Sequence, residues 1–485
     1  MRLQQLIQNF AFRGIKNYKD VQIDNLTNTT NDNVPNSLYF CLKGSRVDGH
    51  DYAQQAVENG AVCLVVERYL NSPATQILVD NARVAMSQLS AKFYEFDKSN
   101  IKFIGVTGTN GKTTTAFITR QILQSLGKSV GMIGTEGIYI NDLRIPANMT
   151  TPDPIQLHRT IHDMDLNGIE YVVMEVSAHA LALSKVDSIM YDVVGITNIT
   201  QDHLDYFNTM ENYARAKYKL FTYKQAKRAI INIDDKYTRA IYKQCDIDKQ
   251  SLSVHKPADV MVEQSSMAVD STKAVFTHNG KQYLLNSNLT GEYNLANTLM
   301  AISFCSSLGF EMSDILSALN NTKIVVPGRL NIIQTSKCPV VIDYAHTPDG
   351  IEKVLTELRK ISKGRVISVF GCGGNRDMSK RALMGEVATR LSDYTIVTSD
   401  NPRDENPYQI IADINKGISV KNKHISIENR QSAINYALSV AGANDVVAIL
   451  GKGNEAYQEI KGYKHPYSDY KVVDEFFEQD NELKQ

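Results

Sequence analysis

The chain is 485 residues long, 43% hydrophobic and 22% charged, with Lys+Arg 52 against Asp+Glu 53 and a formal net charge of -1. That length exceeds a single hydrophobic core and implies about three domains, while the even charge balance excludes a surface built for non-specific nucleic-acid or membrane binding. No segment approaches the ~20 uninterrupted apolar residues of a membrane span. The opening Met-Arg-Leu-Gln-Gln-Leu-Ile-Gln lacks the apolar core of a secretion signal. Six cysteines, with no Cys-x-x-Cys pair, are expected as buried free thiols of a cytoplasmic protein rather than as zinc ligands or disulfides.

Apolar strand-like runs alternate with amphipathic helix patterns almost throughout, which predicts an α/β fold with mainly parallel sheets. Three domains are expected, at residues 1–98, 99–326 and 327–485. The first and smallest carries strand patterns at 38–42 and 62–66, helix patterns at 51–59 and 82–96, and a polar linker at 97–100. The second is of the P-loop mononucleotide type. Its strand at 101–106 runs straight into Gly108-Thr-Asn-Gly-Lys-Thr-Thr114, and a helix follows with apolar Phe117, Ile118, Ile122, Leu123 and Leu126 until Gly127 stops it. Further strands are predicted at 171–176, 192–196 and 229–233, with a hairpin at 270–285 turning at His278-Asn-Gly280. From Pro327-Gly328 onward, strands at 340–342, 366–370, 394–398, 424–427 and 446–450 alternate with helices. That is a Rossmann-like doubly wound domain, in which ligands gather at the carboxyl ends of strands.

A strand, a glycine loop and a helix in succession present backbone N–H groups at the positive end of a helix, which suits polyphosphate. Lys112 can neutralise the β/γ-phosphates and the Thr113 hydroxyl can ligate Mg²⁺. The usual loop pattern has glycine where this chain has Val106; here the glycines fall at 105, 108 and 111. Such glycines also serve plain strand–helix turns, but the Gly-Lys-Thr at the helix start favours phosphate. Glu175 ends the next apolar strand and His203 follows another, which puts a carboxylate and an imidazole at the same sheet edge. Alone, each reads as a salt-bridge partner or a loop histidine. Lys217, among Tyr and Ala on a helix, reads as a snorkelling surface lysine. Asp400-Asn-Pro-Arg403 and Gly451-Lys-Gly-Asn-Glu455 read as strand-to-helix loops.

Taken together, Thr107-Gly-Thr-Asn-Gly-Lys-Thr113, Met174-Glu-Val-Ser, the run 198–205 with Met210-Glu-Asn-Tyr213, Gly291-Glu-Tyr-Asn-Leu-Ala-Asn297, Pro327-Gly-Arg329 and Asp343-Tyr-Ala-His-Thr-Pro348 resemble the Mur ligases. Within that family they are most similar to the tripeptide-forming MurE branch. The resemblance implies an ATP-dependent amide ligase of cytoplasmic peptidoglycan precursor synthesis. In it, the D-Glu γ-carboxylate of UDP-N-acetylmuramoyl-L-alanyl-D-glutamate becomes an acyl phosphate that an incoming amine attacks.

The same resemblance assigns roles. Gly108, Thr109, Asn110, Gly111, Lys112, Thr113, Thr114, Asn294, Asn297, Arg329 and Asp343 would contact ATP. Thr113, Glu175 and His203 would serve Mg²⁺, Lys112 and Arg329 would stabilise charge, and Lys217 would carry a CO₂-derived carbamate. Thr30, Thr150, Thr151, Ser177, Lys185 and the Lys217 carbamate would meet the UDP-muramoyl-peptide. Asp400, Asn401, Pro402 and Arg403 resemble the signature of enzymes that add meso-diaminopimelate, Arg403 gripping the distal carboxylate that L-lysine lacks. Arg376, Gly451 and Glu455 would complete that site.

The chain departs from the family pattern at Ala178, at Lys185 (where arginine is usual), at Thr29-Thr30-Asn31, at Asn375 and at Asn454. Alternative readings are the same chemistry with L-lysine or an altered acceptor, a folylpolyglutamate-synthetase-like ligase, and a P-loop kinase. Small-molecule partners, no nucleic acid, no membrane insertion and a monomer are expected.

Overall fold

The computed structural model describes residues 1–485 apart from 32–33, 45–46, 148, 269–270, 421–422 and 483–485. Three main sheets follow one another along the chain. The first is five-stranded, ordered Gly14–Lys16, Thr75–Leu78, Ala61–Val66, Ser37–Phe40, Asn25–Thr27, with the Gly14–Lys16 edge antiparallel. Its strands alternate with period two. Leu38, Cys63 and Val65 pack on the side of the helix Ala82–Phe93, whereas Tyr39, Leu64 and Val66 pack on the side of Ala53–Glu58.

The central sheet has eleven strands. Its parallel part runs, neighbour to neighbour, Val130–Gly134, Tyr171–Glu175, Lys102–Thr107, Val193–Ile196, Arg228–Asn232, Asp248–Ser253, Val260–Ala268. Ile104, Val106 and Val173 face a core closed by the helices Lys112–Ser125, Glu292–Ser307 and Met312–Asn321. Phe103, Val172 and Met174 face a second core under Pro154–Leu166 and Met210–Tyr218. Each fully buried aliphatic side chain contributes about 1.5–3 kcal/mol, so these two faces fix the strand register that delivers Thr107 and Glu175 to one edge.

The sheet is more mixed than expected. Gly137–Ile140 and Leu143–Ile145 extend one side antiparallel, as do Ser271–His278 and Lys281–Ser287 the other. Leu143–Ile145 is exposed throughout and so carries no alternation for a sequence pattern to reveal. The hairpin turn falls at Asn279-Gly280, as its sequence predicts; Asp270, its predicted first residue, lies outside the described residues.

The third sheet is ordered Asn331–Ile333, Val340–Asp343, Val446–Leu450, Val366–Phe370, Tyr394–Val397, His424–Ser426, parallel except at its first pair. Helices Pro348–Ile361, Ser379–Leu391 and Pro407–Asn415 cover one face, and Arg430–Val440 and Asp469–Glu482 the other. A hairpin, Tyr457–Ile460 with Tyr463–Pro466, stands apart as a two-stranded sheet. Among the described residues, no helix is long and apolar enough to cross a membrane, and all six cysteines are free and buried.

Candidate active site

The strand Lys102–Thr107 turns through residues 108–111, and the helix Lys112–Ser125 begins at once. Gly108 (φ 140°) and Gly111 (φ 88°) hold the turn in left-handed backbone. A Cβ on Gly108 would sit 1.9 Å from Thr197 Oγ1, so only glycine fits there. Asn198 braces the loop from outside: its carbonyl accepts the Thr109 N–H at 2.8 Å and its Oδ1 the Asn110 N–H at 3.0 Å. Lys112 curls back, Nζ donating to the Gly108 and Thr109 carbonyls at 2.9 Å each. Burial lowers its pKa, opposed by Glu175. A helix N-terminus with an ammonium beside it forms an anion site.

Glu175 is completely buried at the end of Tyr171–Glu175. Oε2 accepts from the Thr113 hydroxyl at 2.9 Å and the Thr135 hydroxyl at 3.2 Å, and Oε1 accepts the Thr135 N–H at 2.9 Å. His203, in left-handed backbone (φ 55°), sets Nε2 3.4 Å from Asp202 Oδ2. Desolvation pushes its pKa down to about 3 against the pull of Asp202, leaving a neutral ring with a lone pair to offer. Burial would raise Asp202, but His203 and Lys380 hold it at about 2. A hydroxyl and a carboxylate 2.9 Å apart fit Mg²⁺, a hard cation that takes few protein oxygens and completes its shell with phosphate and water, and the His203 imidazole lines the same cleft. Among the described residues, no cluster of three or more His, Cys, Asp or Glu forms a self-sufficient metal cage.

Lys217 corrects the reading from its neighbours. Its exposure is 1%, because the helix Met210–Tyr218 lies beneath the phosphate loop. Nζ donates to the Gly108 carbonyl at 2.9 Å and lies 4.7 Å from the centre of the Tyr213 ring. Burial, and then the charge of Lys112, lower its pKa far below the ordinary lysine value.

The third domain closes over this edge. Arg329 Nη2 donates to Thr113 Oγ1 at 3.3 Å, and its guanidinium lies 4.2 Å from the Tyr344 ring centre. Asp343 accepts the Leu330 and Ala345 N–H groups at 2.6 and 2.7 Å, and burial raises its pKa. Asn294 and Asn297 are buried on Glu292–Ser307, with Asn297 Oδ1 where a Cβ on Gly111 would come within 2.5 Å. Three cross-domain contacts are not legible from motifs: Asn110 Nδ2 to Asp349 Oδ2 at 2.7 Å, Asn454 Nδ2 to Glu136 Oε2 at 3.0 Å, and Lys380 Nζ to Asp202 Oδ1 at 3.7 Å. The first falls at the start of Pro348–Ile361, where a helix-capping run disguises it.

On the far wall, Asp400-Asn401-Pro402-Arg403 follows the strand Tyr394–Val397. Arg403 is in left-handed backbone (φ 51°), a strain of order 1–3 kcal/mol that persists only where surroundings impose it. Here they do: its N–H donates to the Glu459 carbonyl at 3.0 Å and its carbonyl accepts from Lys461 at 2.8 Å. The side chain gives Nε to Glu459 at 3.1 Å and Nη1 to the Gly374 carbonyl at 2.8 Å. Asn401 donates to Glu455 Oε2 at 2.8 Å, and Gly451 packs against Asp400. Asn375 bonds Glu405 and Asp404, which places exposed Arg376 at the rim.

A cleft of about 780 Å³ joins these walls. It is lined by the loop residues 109–114, by Glu175, His203, Asn294, Asn297, Arg329 and Asp343, and by Thr150, Ser177, Arg376, Asp400, Asn401, Arg403, Gly451 and Glu455. Gly108, Thr151 and Lys217 lie just beneath: Thr151 Oγ1 donates to the Glu175 carbonyl at 2.9 Å. Lys185 lies behind the wall, paired with Asp153 at 2.8 Å. Pro402 turns its carbonyl to Gly374. Thr30 sits apart in the first domain, its carbonyl bonded by Asn59 at 2.8 Å.

A phosphate-cradling loop, an adjoining carboxylate and a polar seam between two α/β domains define a nucleotide-dependent enzyme site. Family models match all three parts: residues 32–100 the Mur ligase family catalytic domain, 106–305 the Mur ligase middle domain, and 328–453 the Mur ligase glutamate ligase domain. The chain belongs to the Mur ligase family. It is similar to UDP-N-acetylmuramoyl-L-alanyl-D-glutamate--2,6-diaminopimelate ligase 1 of Clostridium acetobutylicum, 40% identical over 99% of this chain and 100% of that one. The 2,6-diaminopimelate ligase of Aquifex aeolicus is 42% identical over 90% of each. A solved structure of such a ligase superposes with TM-score 0.69 at 28% identity, covering 95% of both chains. MurF of Thermotoga maritima, solved with ADP, shares the fold with TM-score 0.65 at 20% identity over 96% of this chain and 100% of that one.

Proposed function

We propose that this chain joins meso-2,6-diaminopimelate to the D-Glu γ-carboxylate of UDP-N-acetylmuramoyl-L-alanyl-D-glutamate in the cytoplasm, using ATP. Domains at 1–98, 99–326 and 327–485 would bind the UDP end, the nucleotide and the amino acid. The observation that carries the reading is that one cleft holds both the phosphate loop and the Asp400–Arg403 wall; the names of the relatives above support the same substrates. The comparisons give no support to a kinase.

The loop N–H groups and Lys112 bind the triphosphate, and Lys112 exchanges its bonds to loop carbonyls for phosphate oxygens. The substrate carboxylate attacks the γ-phosphorus, releasing ADP and forming an acyl phosphate; the amine then displaces phosphate to form the amide. Arg329, reaching the Thr113 hydroxyl from the third domain, adds positive charge where the transferring phosphoryl group must lie. Thr113, Glu175 and His203 would hold Mg²⁺, which neutralises phosphate charge. Burial, and then the charge of Lys112, shift Lys217 toward the neutral amine, the form that CO₂ carbamoylates, and as a carbamate it would become an anion beside the loop. Closure excludes water from the acyl phosphate.

The test is phosphate release with the UDP-muramoyl-dipeptide, comparing meso-diaminopimelate with L-lysine. Diaminopimelate-dependent release, with an intermediate that hydroxylamine traps, is expected. Equal rates, or a preference for L-lysine, would refute the assignment of the amine.

A further inference from the structure

The amine-side wall contains a buried charge that this reading leaves without a use. Lys452 is wholly buried, and its Nζ donates to Asn401 Oδ1 and to Glu455 Oε2 at 2.9 Å each. Asn401 Nδ2 donates to that same Glu455 oxygen at 2.8 Å. Among the described residues, both bonds to the carboxylate therefore fall on Oε2, and Oε1 is left for a ligand. Arg403 is prepared in the same way: Nε and Nη1 are engaged by Glu459 and Gly374, and Nη2 is left over. Among the described residues, the wall thus presents Glu455 Oε1 and Arg403 Nη2 to a ligand, beside a buried and unbonded Asp400 Oδ2.

The formal charges of that wall cancel. Asp400, Glu455 and Glu459 supply carboxylates, and Lys452, Arg403 and Arg376 supply cations. The Arg430–Asp469 pair behind them is fully buried and formally neutral, although, against the effect of burial, Arg430 also helps hold the Asp400 carboxyl below its ordinary value. Without Lys452 the wall would be net negative and would favour a bare ammonium.

We propose that Lys452 is a specificity-determining positioning residue, which neutralises one carboxylate of the wall so that the site selects an amino acid whose distal end is a zwitterion over one whose distal end is a cation. The inference rests on the reading that this wall receives the distal end of a diamino acid. An ammonium 2.9 Å from Glu455 Oε2 offsets at short range the pull of that carboxylate on a second ammonium. A lone cation entering a neutral, desolvated wall stays uncompensated, whereas a zwitterion places one charge on Glu455 Oε1 and the other on Arg403.

The experiment uses the full-length enzyme with Lys452→Gln and Lys452→Arg, and measures kcat/KM for meso-diaminopimelate and L-lysine by phosphate release. Lys452→Gln is expected to lower the preference for diaminopimelate by about tenfold or more, chiefly through KM for the amino acid, and Lys452→Arg to restore it. Equal losses with both amino acids, leaving the ratio unchanged, would overturn the proposal and leave Lys452 a structural role. Should Lys452→Gln not fold, the wild-type enzyme decides through competition by L-lysine and by 2-aminopimelate, which carries only the distal carboxylate. A neutral wall rejects the two to within about tenfold of each other; L-lysine binding about a hundredfold tighter than 2-aminopimelate would overturn the idea. A wild-type preference for L-lysine would instead sink the functional reading itself.

Discussion

Gly134 ends the strand Val130–Gly134 beside Glu175, and replacing it with alanine tests whether that carboxylate is locked. The new Cβ would lie 2.3 Å from Glu175 Oε1, 2.9 Å from Cδ and 3.0 Å from Cγ. Ordinary contact begins near 3.4 Å, so Oε1 must retreat by about 1 Å and Cδ and Cγ by about 0.5 Å, the differences between those distances. The carboxylate is not free to do so, because Thr113 and Thr135 hold both oxygens through three hydrogen bonds. Overpacking costs about 1–3 kcal/mol, and losing a hydrogen bond to a buried charged group about 1.5–3 kcal/mol. Gly134→Ala should therefore destabilise the protein by about 3–5 kcal/mol. It should also raise the Mg²⁺ concentration needed for half-maximal phosphate release about tenfold or more, since ligand geometry around Mg²⁺ is strict. Urea unfolding and a Mg²⁺ titration read the two effects separately. Wild-type stability together with a wild-type Mg²⁺ response would refute the locked carboxylate.

Three more outcomes are expected. Lys217→Ala should abolish phosphate release and regain part of it with added short carboxylic acids, which stand in for the carbamate; undiminished activity of the variant would refute the carbamate. Asp469→Asn leaves the Arg430 guanidinium, bonded to Asp469 at 2.8 Å through both Nε and Nη2, as an uncompensated buried charge. It should cost about 3–5 kcal/mol in urea unfolding, and a loss below about 1 kcal/mol would contradict the pairing. His158 is buried against Phe96 and Ser188, and desolvation pushes its pKa down to about 3. The folded state thus refuses a proton that the unfolded chain accepts near pH 6.5, so this contribution to stability is complete above pH 6.5 and is lost as pH falls from there toward 3. His158→Gln should flatten the stability profile between pH 6.5 and 5 by up to about 1.4 kcal/mol per pH unit, and an unchanged slope would count against the buried neutral ring.

Legibility followed the range of the forces involved. The phosphate loop could be read because its requirements are local: glycine where φ is positive, lysine and threonine where the helix begins. Glu175 could be placed because a strand-end carboxylate beside that loop has few other destinations. Lys217 and Lys452 could not, since nothing adjacent in sequence tells a helix or loop lysine that another element will bury it. Burial of Lys217 comes from the packing of Met210–Tyr218 under residues 107–108, and Lys452 meets Asn401, some fifty residues earlier, besides the nearby Glu455. The Leu143–Ile145 edge strand escaped for the opposite reason, having no buried face to pattern. Family motifs supplied roles that local chemistry left open, yet their departures acquire local reasons here: Asn454 reaches Glu136 across the domains and Lys185 settles on Asp153.

The seam between the second and third domains carries a further consequence. The links named across it, Asn110 to Asp349, Arg329 to Thr113, Asn454 to Glu136 and Lys380 to Asp202, are all polar. Each such bond is worth about 0.5–3 kcal/mol net of its exchange with water. They can break one at a time, each end taking up solvent as it lets go. This is a zip fastener rather than a weld: on the proposed function it would shield the acyl phosphate while meshed, and would open by small steps as reactants enter and products leave.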